Sequence, residues 1–210
     1  MLNLGLREQE LRENMHTITN LFLQAKHWQI FLLLFGLGFV GNVVAMSSIS
    51  VTAQSPEDFG KVGIPFVILM ALFMFCFLGW LWSMGSFLGS IVQPLLRLKT
   101  GFFRFALVYP GPYIFVFMSL FQSTTTNPAL LAIIFPFHFL AVFCIFYDLY
   151  FVSKCLLLAE TSKPVSFCDY AGPFFLMWFF PIGVWFTQPR INRLYAERKN
   201  TEPLTGAVLG

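Results

Sequence analysis

Charge is what this sequence has least of. Asp, Glu, Lys and Arg make up 11% of its 210 residues, less than half the roughly 25% of a soluble domain. Too few charged side chains are on hand to cover a water-facing surface, which excludes an ordinary soluble globule. A disordered chain is excluded as well, because 57% of the residues are hydrophobic and disorder requires low hydrophobicity. The formal net charge of +3 is too small for a nucleic-acid partner, which calls for a strongly basic stripe or face.

Chemistry-bearing motifs are also missing. The four cysteines, Cys76, Cys144, Cys155 and Cys168, form no CxxC, no CxxCH and no His–Cys cluster, so zinc, haem c and thioredoxin chemistry have no support. Free thiols are the expected state. Nucleotide loops, HExxH, GxSxG and paired carboxylates are lacking too. Ser153 and Lys154 are adjacent, but neighbours on a helix do not face each other, so they make no catalytic dyad. Gly36-Leu-Gly38-Phe-Val-Gly41 spells a dinucleotide fingerprint without the strand and downstream acid that would give it meaning. The sequence therefore assigns no catalytic residue, no cofactor and no metal ligand.

What is present is apolar and aromatic. Phe alone accounts for 28 residues, and aromatics for 19%; mean hydropathy is +0.73. The charges are absent in blocks: residues 28–56, 62–96, 105–147 and 170–189 contain none. A membrane-crossing helix needs about 20 predominantly apolar residues. The 43-residue block 105–147 is too long for one crossing at about 1.5 Å per residue, and it breaks at Gln122-Ser-Thr-Thr-Thr-Asn-Pro128, a run of turn formers. Four spans are expected, at about 28–50, 62–83, 105–122 and 129–152. The continuous apolar runs favour helices over the alternating ten-residue segments of a β-barrel. The lead, with Glu8, Glu10 and Glu13, is too long and too acidic for the n-region of a signal peptide. It reads either as a surface helix with Leu2, Leu6, Leu11, Ile18, Leu21 and Phe22 on its apolar side or as a soluble tail. The organisation expected is a cytoplasmic or interfacial segment 1–27, a helical transmembrane domain 28–190 and a cytoplasmic tail 191–210.

Residues 171–188 are apolar but short, and Pro173 and Pro181-Ile-Gly183 work against a straight helix. Charge placement bears on whether they cross. Cytoplasmic loops carry the excess of Lys and Arg. If 171–188 does not cross, twelve of the 13 basic residues lie on one side and only Lys61 on the other. If it does cross, the split is eight against five. The reading is thus an all-α, polytopic membrane protein with four transmembrane helices, both termini cytoplasmic, and a Pro-broken, re-entrant or interfacial C-terminal segment carrying Trp178 and Trp185. The alternative is five spans, the fifth needing a thinned bilayer.

Polar side chains within the spans are the candidates for function. Asn42 has as its ordinary role one interhelical hydrogen bond. His138, in an aromatic surround without a second His or carboxylate nearby, fits a packed, hydrogen-bonded residue better than a metal ligand or proton relay. Asp148, Lys154 and Glu160 follow on the fourth span at intervals of six, about 120° out of alignment. They read as a helix leaving the bilayer with Lys154 snorkelling, or more sharply as the polar mouth of a substrate path. Gly41-to-Ala45 and Gly85-to-Gly89 offer small-residue faces for helix packing or oligomerisation. The second helix is expected to run on to Pro94.

The C-terminal third carries two blocks, Phe137-His-Phe-Leu-Ala-Val-Phe-Cys-Ile-Phe-Tyr147 with Ala159-Glu160, and Phe167-Cys-Asp-Tyr-Ala-Gly-Pro173 leading into Trp178-Phe-Phe-Pro-Ile-Gly-Val-Trp-Phe-Thr-Gln-Pro-Arg-Ile-Asn192. This resembles a block in small, uncharacterised bacterial integral membrane proteins. The resemblance implies a bacterial inner-membrane protein and carries over no functional residue. Read physically, the block is a docking device. Its aromatics hold a bent hairpin at the interface, while Arg190, Asn192, Arg193 and Arg198 face headgroups, the basic ones contributing about 1 kcal/mol each towards anionic lipid; the alternative is an anchor that merely sets depth.

Three functions compete. The first is a non-catalytic scaffold or accessory subunit, with the lipid bilayer and either a second copy or another membrane protein as partners. The second is a small transporter or channel using Asn42, His138 and helices broken at Pro110-Gly-Pro112, Pro136 and Pro181. The third is a lipid-directed enzyme using Asp148, Lys154 and Asp169, which rests on position alone.

Overall fold

A computed structural model describes residues 17–52, 59–126 and 129–207. Among them, all regular structure is helical. A short α1 covers residues 17–24. It is followed by α2 (His27–Thr52), α3 (Phe59–Ile91), a 3-10 turn at Pro94–Leu96, α4 (Thr100–Val108), α5 (Pro110–Thr126), α6 (Ala129–Thr161), α7 (Phe167–Trp178) and α8 (Phe180–Ala207). The lead residues Leu2, Leu6 and Leu11 lie outside the described residues.

Among the described residues, three helices are long and apolar enough to cross a membrane: His27–Ser47 of α2, Pro65–Ile91 of α3 and Ala129–Thr161, the whole of α6. The remaining expected span, 105–122, falls on two helices. Tyr109 separates α4 from α5, leaving α5 with 17 residues, about 25 Å of helix. The cause is local. Pro110 and Pro112 have no N–H to give to the carbonyls one turn back. Tyr109 itself keeps helical dihedrals (φ −57°, ψ −44°) and bonds Phe105 O at 3.0 Å. Pro136, expected to break its helix, sits inside an uninterrupted α6. One proline removes one hydrogen bond, and a helix this long carries on past it.

The chain divides into two compact units. Residues Met1–Ile30, Gly79–Leu98 and Phe151–Gly210 form the first. Its core is Leu23, Trp80, Leu81, Met84, Leu88, Phe151, Leu156, Met177, Val184 and Ile191, all nearly or wholly inaccessible. α6 ends where Ser162 takes φ 52°, the one described non-glycine residue with positive φ, a left-handed C-terminal cap. α7 opens on Ser166, whose N–H and hydroxyl both donate to Asp169 Oδ2 at 2.7 Å. Those two bonds, the hydroxyl's first, hold the Asp169 carboxyl below its ordinary value of 3.8. The stability they give is present above that value and is lost as pH falls through the lower, folded one.

α7 and α8 then pack on each other as a hairpin. Pro181 cannot donate to Met177 O, and Phe179 leaves the helical region (φ −88°, ψ 58°). Along α6, Ser153 meets Met177 of α7 at 3.4 Å. Glu160, two turns on, meets Arg190 of α8, so the chain has reversed in between. The close approach is made by Gly183: a β-carbon there would overlap the carbonyl of Leu176. The aromatics, expected to hold this bend, lie mostly outside it. Phe175, Phe179 and Phe186 are about half exposed, and Phe175, Trp178 and Phe179 stack in sequence at 5.9 and 5.5 Å.

Residues Phe31–Leu78 and Lys99–Tyr150 form the second unit. Ile134, Ala141, Cys144 and Asp148 make the buried stripe of its part of α6, at helical spacing. Phe135, Phe137, Phe139 and Phe143 point outward, each more than half exposed. So does much of α2, including Leu32, Phe39 and Met46. An apolar exterior of this extent suits hydrocarbon rather than water. The Phe excess is therefore largely an outer coat. A β-carbon at Gly41 would meet nothing within 4 Å, nor would one at Gly89, while one at Gly38 would meet Phe73 at 3.9 Å.

Candidate functional site

Each polar candidate sits in its own surroundings. Asn42, expected to bond across helices, instead donates to Gly38 O of its own helix at 2.9 Å and is exposed. A short amide side chain on an outward face reaches the carbonyl one turn back more readily than a neighbouring helix. His138 lies in the second unit with its Nδ1 3.0 Å from Tyr113 Oη, and its ring is 5.8 Å from those of Tyr113 and Phe117. Tyr113 was not singled out from the sequence. Its signal is a hydroxyl inside a charge-free run, directly after Pro110-Gly-Pro112. Lys154 extends over the Tyr170 ring at 5.7 Å, a cation–π contact.

Asp148 is different. It is wholly buried, and neither carboxylate oxygen has a hydrogen-bond partner among the described residues. A carboxylate on a packed helix stripe without partners destabilises the fold, since burying a polar group costs free energy that only a bond recovers. Asp148→Asn keeps the shape and deletes the charge. It is expected to raise the unfolding midpoint in mild detergent by about 3 °C, equivalent to about 1 kcal/mol. A lowered midpoint in a thermal-shift measurement would show that the carboxylate is held by a stabilising partner.

In the first unit, the C-terminal block locks helices together. Gln188 is wholly buried. Its Oε1 accepts from Trp80 Nε1 at 2.9 Å, and its Nε2 donates to Phe22 O and Ala25 O at 2.9 and 3.1 Å. Those carbonyls belong to the end of α1, where backbone acceptors have no helical donor. Asn192 Nδ2 adds a second donor to Ala25 O at 3.1 Å. Tyr195 Oη donates to Asn20 Oδ1 at 3.0 Å. Arg190 grips Glu160 with two nitrogens, Nε to Oε1 at 2.8 Å and NH2 to Oε2. Arg193 reaches Oε1 at 3.4 Å.

This alters the reading of the block as a headgroup contact. Arg190 and Asn192 face protein, bonding Glu160 and Ala25 O. Arg193, 62% exposed at its side chain, is the more outward cation. Glu160→Gln is expected to lower stability by about 1–2 kcal/mol, between the values for exposed and buried pairs. Arg190→Lys should recover little of the bidentate geometry in the wild-type background. Thermal unfolding at low and high salt measures both, with the wild type the more salt-sensitive.

The second unit also carries an open groove of 540 Å³ along α4, α5 and α6. Val108, Pro112 and Val116 form one wall and Ile133 and Phe137 the other. Tyr109 and Tyr113 contribute rings to it, while their hydroxyls are engaged by Phe137 O at 3.3 Å and by His138. No group of three or more His, Cys, Asp or Glu among the described residues is placed to hold a metal ion. Compared with protein-family models, curated proteins and solved structures, the chain matches none.

Proposed function

We propose that this chain is a multi-pass protein of a bacterial inner membrane that serves as a non-catalytic scaffold or accessory subunit. The observation that carries this is the separation of the polar candidates. Asn42 bonds within its own helix, His138 pairs with Tyr113, Lys154 covers a tyrosine ring and Asp169 caps a helix. Catalysis needs a nucleophile or acid with its base and orienting group within hydrogen-bond reach. The bonds that do join helices are those of Gln188, Asn192 and the Arg190–Glu160 pair. Purification in mild detergent is expected to recover a homo-oligomer or a stoichiometric membrane partner; a lone monomer overturns the reading.

The topology proposed has four crossings, with α4 and α5 together making the third, both termini cytoplasmic and the α7–α8 hairpin re-entrant. It is supported by twelve of 13 basic residues falling on one side and by the reversal at Phe179. A cysteine introduced at Gly210, with Cys168 removed, is expected to react only from the cytoplasmic side. Labelling from outside alone would require five crossings.

A second reading, a small transporter or channel, is favoured by the unpartnered Asp148 and draws on Asn42, His138 and the interruption at Pro110. It predicts flux in proteoliposomes that is lost when Asp148 and His138 are replaced, and it fails if flux persists.

A further inference from the structure

We propose that the groove of the second unit is a binding site for an anionic phospholipid, with one acyl chain in the groove and the phosphate held by Arg104 and Lys99. The groove runs from Phe105 to Leu120, about 22 Å of helix. That exceeds the roughly 15 Å of one leaflet, half of the hydrocarbon core, so a whole chain fits lengthwise. Its volume lies within the range of about 300–1,000 Å³ typical of small-ligand sites. The walls offer hydrocarbon and aromatic rings, and both tyrosine hydroxyls that line it already have partners. A ligand with polar groups along its length would lose hydrogen bonds on entering. One with a plain hydrocarbon tail loses none.

The charge sits at one end. Thr100, Arg104, Val108 and Pro112 follow one another at intervals of four along one face, so Arg104 stands a turn before the first groove wall. Arg104 and Lys99 are exposed, and neither has an ion-pair partner among the described residues. The sequence has no Asp or Glu between Asp58 and Asp148, so no acid from that stretch competes for them. Lys99 caps α4 without a side-chain hydrogen bond to the first turn, which leaves backbone N–H groups and the positive end of the helix directed at the same place. Cations at the end of an apolar groove match the head and tail of a phospholipid, and the cytoplasmic leaflet is where anionic lipid gathers.

The test is native mass spectrometry of the full chain in mild detergent, titrated with phosphatidylglycerol and with phosphatidylcholine. The wild type is expected to bind the anionic lipid more tightly. Arg104→Ala should weaken phosphatidylglycerol about fivefold, the equivalent of about 1 kcal/mol for one cation, and leave phosphatidylcholine unchanged. Val116→Trp, which fills the groove from an exposed position, should weaken both lipids, whereas Val43→Trp on the exposed face of α2 should weaken neither. Equal binding of the two lipids by the wild type, or an unchanged preference in Arg104→Ala, overturns the proposal. So does displacement of the lipid by inorganic phosphate at similar concentration, which would assign the site to a free anion. Oligomeric state is read from the same spectra, so a failed lipid preference is told apart from failure of the scaffold reading.

Discussion

Gly183→Ala is expected to cost about 3 kcal/mol, a fall of roughly 10 °C in unfolding midpoint. The added methyl would land on the carbonyl of Leu176, which is backbone and has no rotamer to retreat into. The two arms of the α7–α8 hairpin must then separate. Separation pulls Val184, Thr187 and Gln188 out of the buried stripe they share. The matched control is Gly172→Ala in α7, where a β-carbon meets nothing within 4 Å and where alanine is the better helix former by about 1 kcal/mol. Thermal unfolding monitored by tryptophan fluorescence is the measurement. If the two substitutions behave alike, the hairpin does not close at Gly183.

Gln188→Leu is expected to be as damaging, at about 3–4 kcal/mol, because it removes three buried hydrogen bonds together. The Trp80 indole N–H loses its acceptor, and the Phe22 and Ala25 carbonyls lose their donor. An unsatisfied buried group costs roughly 1–3 kcal/mol, and Asn192 still serves Ala25 O, which sets the sum below the maximum. Trp80→Phe removes the indole N–H and leaves a cavity at a wholly buried position, while both α1 carbonyls keep their donor. In the double variant the effects should be sub-additive by about 1 kcal/mol, as bonded neighbours are. Additive losses would mean that Trp80 and Gln188 act separately.

The helical class and three long apolar helices were legible in the sequence, because lipid leaves the backbone no partner but itself and the missing charges mark where lipid must be. The third span was harder to read. Apolar composition alone set it at about 105–122; the prolines at Pro110-Gly-Pro112 marked the break that composition does not show, while Pro136, marked in the same way, lies in a continuous helix. The polar residues were legible as types and not as partners. Asn42 and His138 stand out by chemistry, yet whether each turns to its own helix or to another depends on helix rotation, which a lone sequence does not contain. Gln188 escaped notice because it sits at the edge of an apolar run, where glutamine looks like the start of a loop. Only packing reveals that its three bonds hold α1, α3 and α8. Gly183 was visible as part of a proline-glycine break, but the reason for it, backbone against backbone, needed Leu176 brought near from the other side of the bend.

The four cysteines described earlier as chemically idle divide sharply in access. Cys144 and Cys155 are buried, Cys76 is partly covered, and Cys168 is exposed in the first turn of α7. The protein therefore carries its own single-site reporter. A membrane-impermeant maleimide applied to intact cells and to inverted vesicles would read the sidedness of the turn between α6 and α7 in the unmodified chain. A fluorophore fixed there would report each movement of the hairpin from the position where it begins.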